Sequence, residues 1–284
     1  MSEQEQADQQ AAREALARMP IVLEIPEMRE VVVRRDLPFA GTGAERALDL
    51  YTPPAATAPL PAVIFVFGFP QPLFAQHLKE MGGYRSWARL LAASGLAAVT
   101  YRYVDPVTDL AALLGFLRER GPELGIDPSR LAFWSGSGNV PVALGALLDE
   151  AQAGRGLRAA ALCYGYLFEG EVGEVSAAQA AFGFAAPALG RTVADLPADL
   201  PLLVARAGRD ETPGLNAALD AFVAAALARN LPLTLLNHPT GPHAFDIFDD
   251  SAASRTVIRA IVAFLRECRR LTETASIRRG SPPH

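Results

Sequence analysis

The segment RLAFWSGSGNVPVALGAL, from Arg130 to Leu147, joins an apolar run, a glycine-flanked serine and a helical pattern. Its first part, Arg130–Trp134, is typical of a strand. Ser137 follows between two glycines, and Pro141 falls in the first helical turn, where its missing N–H costs little. The segment therefore predicts a strand, a tight turn that carries Ser137, and a helix.

Strand and helix patterns alternate on both sides of this segment, which is typical of a mostly parallel sheet. The predicted strands are Glu30–Leu37, Ala47–Tyr51, Ala62–Phe69, Leu96–Tyr103, Arg130–Trp134, Ala159–Leu167, Pro201–Gly208 and Pro232–Asn237. The predicted helices are Tyr84–Ala93, Thr108–Arg120, Val140–Ala153, Leu215–Ala228 and Ser251–Leu271. No helix separates the first two strands, so the sheet should begin antiparallel. We predict an α/β fold: a doubly wound, mostly parallel sheet of about eight strands with helices on both faces.

The pattern indicates one domain over residues 20–272, preceded by a polar arm (1–19) and followed by a flexible tail (273–284). Residues 168–199 interrupt the alternation with an Ala- and Gly-rich stretch that has no clear strand. Long insertions in compact α/β domains are often lids or binding loops, so we expect a lid-like role for this one.

Composition excludes several classes of function. With 26 basic and 31 acidic residues the net charge is −5, which argues against a nucleic-acid-binding surface. Lys79 is the single lysine, and no phosphate-binding GxxxxGK[ST] loop occurs. Cys163 and Cys268 cannot form a thiolate zinc site. The polar N-terminus and the absence of a long apolar run predict a cytoplasmic protein with no membrane span.

The turn around Ser137 resembles the nucleophile elbow of the α/β hydrolases, which is normally written G-x-S-x-G. In this chain Ser135 and Asn139 stand where that motif has its outer glycines. The resemblance implies that Ser137 is a nucleophile at the start of a helix. A plain Ser/Gly turn that only joins strand to helix is the alternative interpretation.

A nucleophilic serine needs a base, and His243 in NHPTGPHAFD resembles the segment that carries the catalytic histidine in many α/β hydrolases. His238 in the same loop ranks second, and two loop histidines are weak evidence for a metal. Asp210 follows a predicted buried strand and would orient the imidazole. Glu211 is its neighbouring substitute, and Glu169 or Glu171 is a more distant one. The order Ser137, Asp210, His243 is that of the α/β-hydrolase fold.

The stretch VFGFPQP resembles the H-G-x-P segment that supplies an oxyanion-hole donor in many α/β hydrolases, with Phe67 in place of the histidine. This implies that the backbone N–H groups of Phe69 and Gly138 form the oxyanion hole. A plain Gly/Pro turn is the alternative. Four further aromatic residues are candidates for an apolar substrate pocket: Phe74, Phe182, Phe184 and Phe245.

The resemblance covers about residues 45–270, and LDLYTPP is typical of the dienelactone-hydrolase-like and small carboxylesterase group. It implies a serine hydrolase that cleaves a small ester or related acyl bond through an acyl-enzyme, without a metal or organic cofactor. Two alternatives stay open. One is a hydrolase-fold binding protein with impaired catalysis, because Ser135, Asn139 and Phe67 all depart from the motifs. The other is a serine peptidase for small peptides. Sequence alone does not predict the oligomeric state.

Overall fold

A computed structural model describes residues 15, 17–41, 45–56, 59–70, 78–170 and 173–267. Eight strands form one sheet in the order β1-β2-β4-β3-β5-β6-β7-β8. The strands are β1 Val32–Pro38, β2 Ala47–Thr52, β3 Leu60–Phe65, β4 Ala97–Tyr101, β5 Ile126–Gly136, β6 Ala159–Cys163, β7 Leu202–Ala207 and β8 Leu233–His238. The β1–β2 and β2–β4 pairs are antiparallel, and all other pairs are parallel.

Seven α-helices with both ends in the described residues accompany the sheet. They are α1 Gly82–Ala93, α2 Thr108–Arg120, α3 Val140–Gln152, α4 Glu174–Phe182, α5 Leu215–Ala228, α6 Phe245–Phe248 and α7 Ala252–Glu267. The connection from β3 to β4 runs in one direction across the sheet, and that from β5 to β6 runs in the other. Because parallel crossovers are right-handed, the connecting helices α1 and α3 lie on opposite faces.

This architecture confirms the predicted fold class, including the antiparallel start of the sheet. The helices over Thr108–Arg120 and Leu215–Ala228 have their predicted bounds. The third strand is shorter than predicted: β3 ends at Phe65, and residues 66–70 leave the sheet as a loop beside the turn of Ser137. The predicted tail, and all but a few residues of the predicted N-terminal arm, lie outside the described residues.

The predicted lid-like insertion contains α4 and a short 3-10 turn, with no strand among its described residues. It packs closely on the domain, because a Cβ atom on Gly145 of α3 would lie 2.6 Å from Cγ of Pro187. The backbone N–H of Ala185 donates to the carbonyl oxygen of Gly68 at 2.7 Å. The insertion is therefore attached both to a helix and to the loop after β3.

A buried ionic cluster fastens the segment before α1 to the antiparallel edge of the sheet. Lys79 is fully buried, and its Nζ donates to Asp49 at 2.7 Å and to Asp36 at 2.6 Å. Asp49 is also fully buried and accepts the backbone N–H of Asp36. The single lysine is thus a structural residue. Among the described residues, no helix is both long and apolar enough to cross a bilayer.

Candidate active site

Ser137 lies at a sharp turn between β5 and α3 and has a φ of 58°. A non-glycine residue in this left-handed region costs free energy and is maintained only by its surroundings. The surroundings of Ser137 are closely packed. A Cβ atom on Gly138 would lie 2.7 Å from Cζ of Phe69, and one on Gly165 would lie 2.6 Å from the carbonyl oxygen of Ser137. A side chain at Gly165 would collide with the backbone, one at Gly138 would displace the Phe69 ring, and the turn holds the Ser137 side chain at the end of the strand.

The structure brings Ser137, His243 and Asp210 together in one hydrogen-bonded chain. Ser137 Oγ lies 2.8 Å from His243 Nε2, and His243 Nδ1 lies 2.6 Å from Asp210 Oδ2. A carboxylate only accepts hydrogen bonds, so Nδ1 carries the imidazole proton and Nε2 is left to accept from the serine. The Asp210 side chain is fully buried, whereas that of His243 is 33% exposed.

The environment of Asp210 keeps it ionised. Burial alone would raise its pKa, but hydrogen bonds from His243 and Thr212 outweigh burial and hold the pKa below its usual value. The backbone N–H of Thr212 donates to Oδ1 at 2.9 Å, which leaves Oδ2 for the imidazole. Asp210 follows β7 and His243 follows β8, so the parallel sheet delivers both groups to one edge.

Asn139 ties the turn of Ser137 to the loop after β3. Its Oδ1 accepts the backbone N–H of Gly68 at 2.8 Å, and its Nδ2 donates to the carbonyl oxygen of Gly136 at 3.0 Å and to Tyr84 Oη at 2.8 Å. The Asn139 side chain is buried with all these partners in place. A glycine at this position, as in G-x-S-x-G, would leave the Gly68 N–H without that acceptor.

The loop over residues 66–70 is fixed from its other side by aromatic residues. Tyr103 Oη donates to the carbonyl oxygen of Phe69 at 2.8 Å. The ring of Phe67 stacks on Tyr103 at 5.9 Å between centroids and meets Tyr84 edge-on at 4.9 Å. Phe67, which replaces the histidine of the H-G-x-P segment, is therefore a buried packing residue. The backbone around Phe69 is held against Gly138 by contacts on both sides.

Two cavities meet at Ser137, and Phe69 and His243 line both of them. The first, of about 250 Å³, is walled mainly by Tyr84, Trp87, Trp134 and Tyr164, and we call it the ring cavity. The second, of about 390 Å³, is lined by Tyr166, Phe182, Phe184 and Leu215, and we call it the insertion cavity. A larger cavity of about 660 Å³ lies between residues 17–29 and α1 and shares no lining residue with these two.

The structure places the four predicted pocket residues differently. Phe182 and Phe184 line the insertion cavity. Phe245 lines neither cavity: its ring is fully buried against Tyr164 and His238, in the core beneath the His243 loop. Its position at the start of α6 turns the side chain inward. Phe74 lies outside the described residues.

The other candidate site residues do not reach Ser137. His238 is buried, with Nε2 at 2.9 Å from Ser254 Oγ and 3.2 Å from Asp249 Oδ2. Glu169 accepts hydrogen bonds from the backbone N–H and the hydroxyl of Ser176. Glu211 is exposed, and Glu171 lies outside the described residues. Asp210 is thus the carboxylate that contacts His243.

Sequence reasoning missed the tyrosines and tryptophans that line the two cavities and three hydrogen-bonding residues of the site: Asn139, Tyr103 and Asp246. Asp246 Oδ1 accepts from Tyr164 Oη and Oδ2 accepts from Trp87 Nε1, both at 2.6 Å. Burial raises the pKa of Asp246 despite these hydrogen bonds. A usable sequence signal existed only for Asn139. Its amide stands at a position where the motif has glycine, and a buried amide needs hydrogen-bond partners.

The fold is similar to that of several solved esterases. A bacterial heroin esterase matches with a TM-score of 0.67 and 17% identity, over 92% of this chain and 90% of that one. Brefeldin A esterase, described as a bacterial homologue of human hormone-sensitive lipase, matches with a TM-score of 0.70 and 18% identity, over 93% and 84%. Esterase B from Lactobacillus rhamnosis matches with a TM-score of 0.69 and 17% identity, over 96% and 97%.

Neither a protein-family model nor a curated protein matched the chain. At identities of 15–18%, the likeness to the esterases establishes the fold, which is the predicted α/β-hydrolase fold. What the site does is argued from its own geometry.

Proposed function

We propose that this protein is a serine hydrolase that cleaves a carboxylic ester or a related acyl bond of a small molecule. One observation carries the proposal: the unbroken hydrogen-bonded chain from Ser137 Oγ through His243 to the buried Asp210. The strained φ of Ser137 supports it, because strain of this kind is retained where it serves a function. The fold also supports it, because the solved proteins that share this fold are named as esterases.

The proposed reaction has two halves. His243 Nε2 takes the Ser137 proton as the serine oxygen attacks the acyl carbon, and then gives that proton to the departing alcohol. Water, activated by the same Nε2, cleaves the Ser137 acyl-enzyme and releases the acid and the free serine. Asp210 fixes the imidazole tautomer and stabilises the imidazolium in both halves. No metal ligand or organic cofactor has a role in these steps.

The backbone N–H groups of Phe69 and Gly138 are the proposed oxyanion donors. This assignment is supported by the packing of the loop over residues 66–70 against the turn of Ser137. Asn139 and Tyr103 fix this loop through Gly68 N–H and Phe69 carbonyl hydrogen bonds. Donors that are held before the substrate arrives need little reorganisation in the transition state, which is why such contacts favour catalysis.

A binding protein with impaired catalysis is favoured less by this geometry. Asn139 and Phe67, two of the three departures from the motifs, form specific contacts that stabilise the loop. A peptidase that binds a free peptide carboxylate needs a cationic partner for it, and neither cavity is lined by an arginine or lysine in the described residues. Ester hydrolysis therefore fits the site best.

Labelling with a fluorophosphonate, followed by mass spectrometric mapping, tests the proposal. We expect covalent label on Ser137 and a loss of labelling in His243→Ala. Ser135→Ala is the matched control, because Ser135 is fully buried and precedes the turn, and it should label like the unmodified protein. An unlabelled Ser137 in folded protein, with both a small and a large fluorophosphonate, would overturn the proposal in favour of the binding protein.

A further inference from the structure

Two separate cavities open at Ser137, the proposed nucleophile. Each reaches Ser137 and His243, but their other walls come from different parts of the chain. The ring cavity is formed by α1, β5 and residues 244–248, and the insertion cavity by the 168–199 insertion and α5. An apolar protein cavity of about 150 Å³ holds benzene, so each of these has room for at least one ring.

The aromatic wall of the ring cavity is fixed before any ligand binds. Asp246 accepts hydrogen bonds from Trp87 and Tyr164 through separate oxygens, so one carboxyl group orients two rings. The Trp87 and Trp134 rings lie 5.2 Å apart between centroids, and Tyr164 meets the His243 ring edge-on at 5.3 Å. A wall of this kind loses little conformational entropy on binding a flat apolar group.

The charge of the lining distinguishes between possible ligands. In the described residues the only ionisable groups with an acidic or basic side chain on either cavity are His243 and Asp246. Asp246 is 2% exposed, and both of its oxygens already accept hydrogen bonds. A charged ligand group would therefore lose water without gaining an ionic partner.

We propose that the ring cavity binds a neutral, ring-sized apolar group of the substrate, and that the insertion cavity binds a second apolar group across the scissile bond. The preferred substrate is then an ester that is uncharged on both sides. This inference rests on the proposed function for its reference to an ester, whereas the binding of the neutral ring group is testable without catalysis.

The tryptophans make the ring cavity directly observable. The chain has two tryptophans, Trp87 and Trp134, and both line this cavity. Quenching of tryptophan fluorescence in Ser137→Ala can be followed with three related nitroaromatic probes: neutral nitrobenzene, anionic 4-nitrobenzoate and cationic (4-nitrophenyl)trimethylammonium. We expect saturable quenching by nitrobenzene, and apparent dissociation constants about tenfold or more higher for both ions.

A matched pair of variants locates the binding. Ile247→Phe narrows the ring cavity and should weaken nitrobenzene binding about tenfold, whereas Phe182→Leu alters only the insertion cavity and should leave this binding within about twofold. Circular dichroism and the melting temperature establish that both variants are folded. The three probes compared on Ser137→Ala alone still test the inference if Ile247→Phe does not fold.

The outcomes separate this inference from the proposed function. Quenching that never saturates, or an ion that binds as tightly as nitrobenzene, overturns the inference. Fluorophosphonate label on Ser137 without saturable nitrobenzene binding overturns it while leaving the hydrolase proposal in place. Saturable binding of nitrobenzene alone among the probes, with Ser137 unlabelled, supports the ring cavity as a binding site and overturns the hydrolase.

Discussion

Asn139 occupies a motif position that normally needs the smallest residue, and uses it to hold the loop of the proposed oxyanion donor. Replacing it with glycine would restore the motif but remove the acceptor of the Gly68 N–H. For Asn139→Gly we expect kcat to fall about 10- to 100-fold with little change in KM, because the loss affects the transition state. The free energy of unfolding should fall by about 1–3 kcal/mol, since a buried N–H loses its partner. Ester hydrolysis assays and urea unfolding measure the two effects.

Ser135 is the matched control for Asn139, because it is the other departure from the outer glycines of the motif. Its Oγ lies 3.5 Å from the carbonyl oxygen of Val66, a distance at which a hydrogen bond contributes little. Ser135→Ala should keep kcat within about twofold. An Asn139→Gly protein that is as active as this control would contradict a role for the amide in catalysis.

Asp210 is the buried carboxylate of the proposed triad, and its replacement tests the tautomer argument. In Asp210→Asn the amide can donate to Nδ1 and leave the proton on Nε2, where it cannot accept from Ser137. We expect kcat to fall on the order of 10⁴-fold while the protein stays folded. Initial rates with a chromogenic ester measure this. Glu211→Gln at the exposed neighbour is the control, and a larger loss there than in Asp210→Asn would identify Glu211 as the acid.

At the scale of elements, the loop after β3 is held at three backbone groups of Gly68 and Phe69. The Gly68 N–H donates to Asn139, the Gly68 carbonyl accepts from Ala185, and the Phe69 carbonyl accepts from Tyr103. Tyr103→Phe removes the third of these while it keeps the ring stacked on Phe67. We expect kcat and the second-order rate of fluorophosphonate labelling to fall together, by about three- to tenfold.

Tyr51→Phe is the control for this loop prediction. The Tyr51 side chain is buried in β2 and forms no hydrogen bond with the loop after β3, so removal of its hydroxyl should leave the labelling rate unchanged. If Tyr103→Phe labels as fast as Tyr51→Phe, the loop keeps its geometry without the tyrosine hydroxyl.

The elements that sequence patterns predicted well are those whose signal is local. Continuous apolar runs predicted the buried strands. The helix over Thr108–Arg120 begins at a threonine and ends just before Gly121, and both residues are visible in the sequence pattern. The apolar run at Ala62–Phe69 was misjudged in length, because Phe67 and Gly68 are buried by loop packing and not by strand pairing. An apolar run in the sequence does not distinguish burial by loop packing from burial in a paired strand.

The parts of the site that sequence could not predict depend on contacts between distant residues. Ser137 and His243 were predicted from their resemblance to hydrolase motifs, and Asp210 from its place after a buried strand, since parallel strands deliver their ends to one edge. The Asn139 contact to Gly68 spans 71 positions, and that of Asp246 to Trp87 spans 159. No local pattern distinguishes Phe245, which turns into the core, from an aromatic residue that faces a cavity.

At the scale of the whole molecule, hydrogen bonds to carboxylates make the folded state sensitive to acid. The pKa values of five aspartates lie below their usual value: Asp36, Asp105, Asp127, Asp210 and Asp249. At Asp36 and Asp249 the hydrogen bonds are the leading cause, with Lys79 and Ser251 as first donors. At the other three, burial works in the opposite direction and hydrogen bonds outweigh it.

The sign of the pH dependence follows from these shifts. A carboxyl group whose pKa is depressed by folding binds protons more readily in the unfolded chain, so its stabilisation is present above the unfolded pKa and is lost as the pH falls through the folded pKa. Asp246 has a raised pKa and acts in the opposite sense, because its protonation in mild acid relieves the cost of a buried charge. The five depressed groups outnumber it, so acid should destabilise the protein.

We therefore expect the free energy of unfolding to change little between pH 7 and 5 and to fall steeply below about pH 4. One extra proton bound by the unfolded chain gives a slope of about 1.4 kcal/mol per pH unit, and we expect at least this slope between about pH 4 and 3. Urea midpoints measured at each pH, with the m-value followed as a control for two-state behaviour, test the prediction. Asp246→Asn removes this opposing carboxyl group, so its curve should lack any rise in mild acid and keep the fall below about pH 4. A midpoint that holds constant down to about pH 3 would show that these carboxylates are bonded no better in the folded chain than in water.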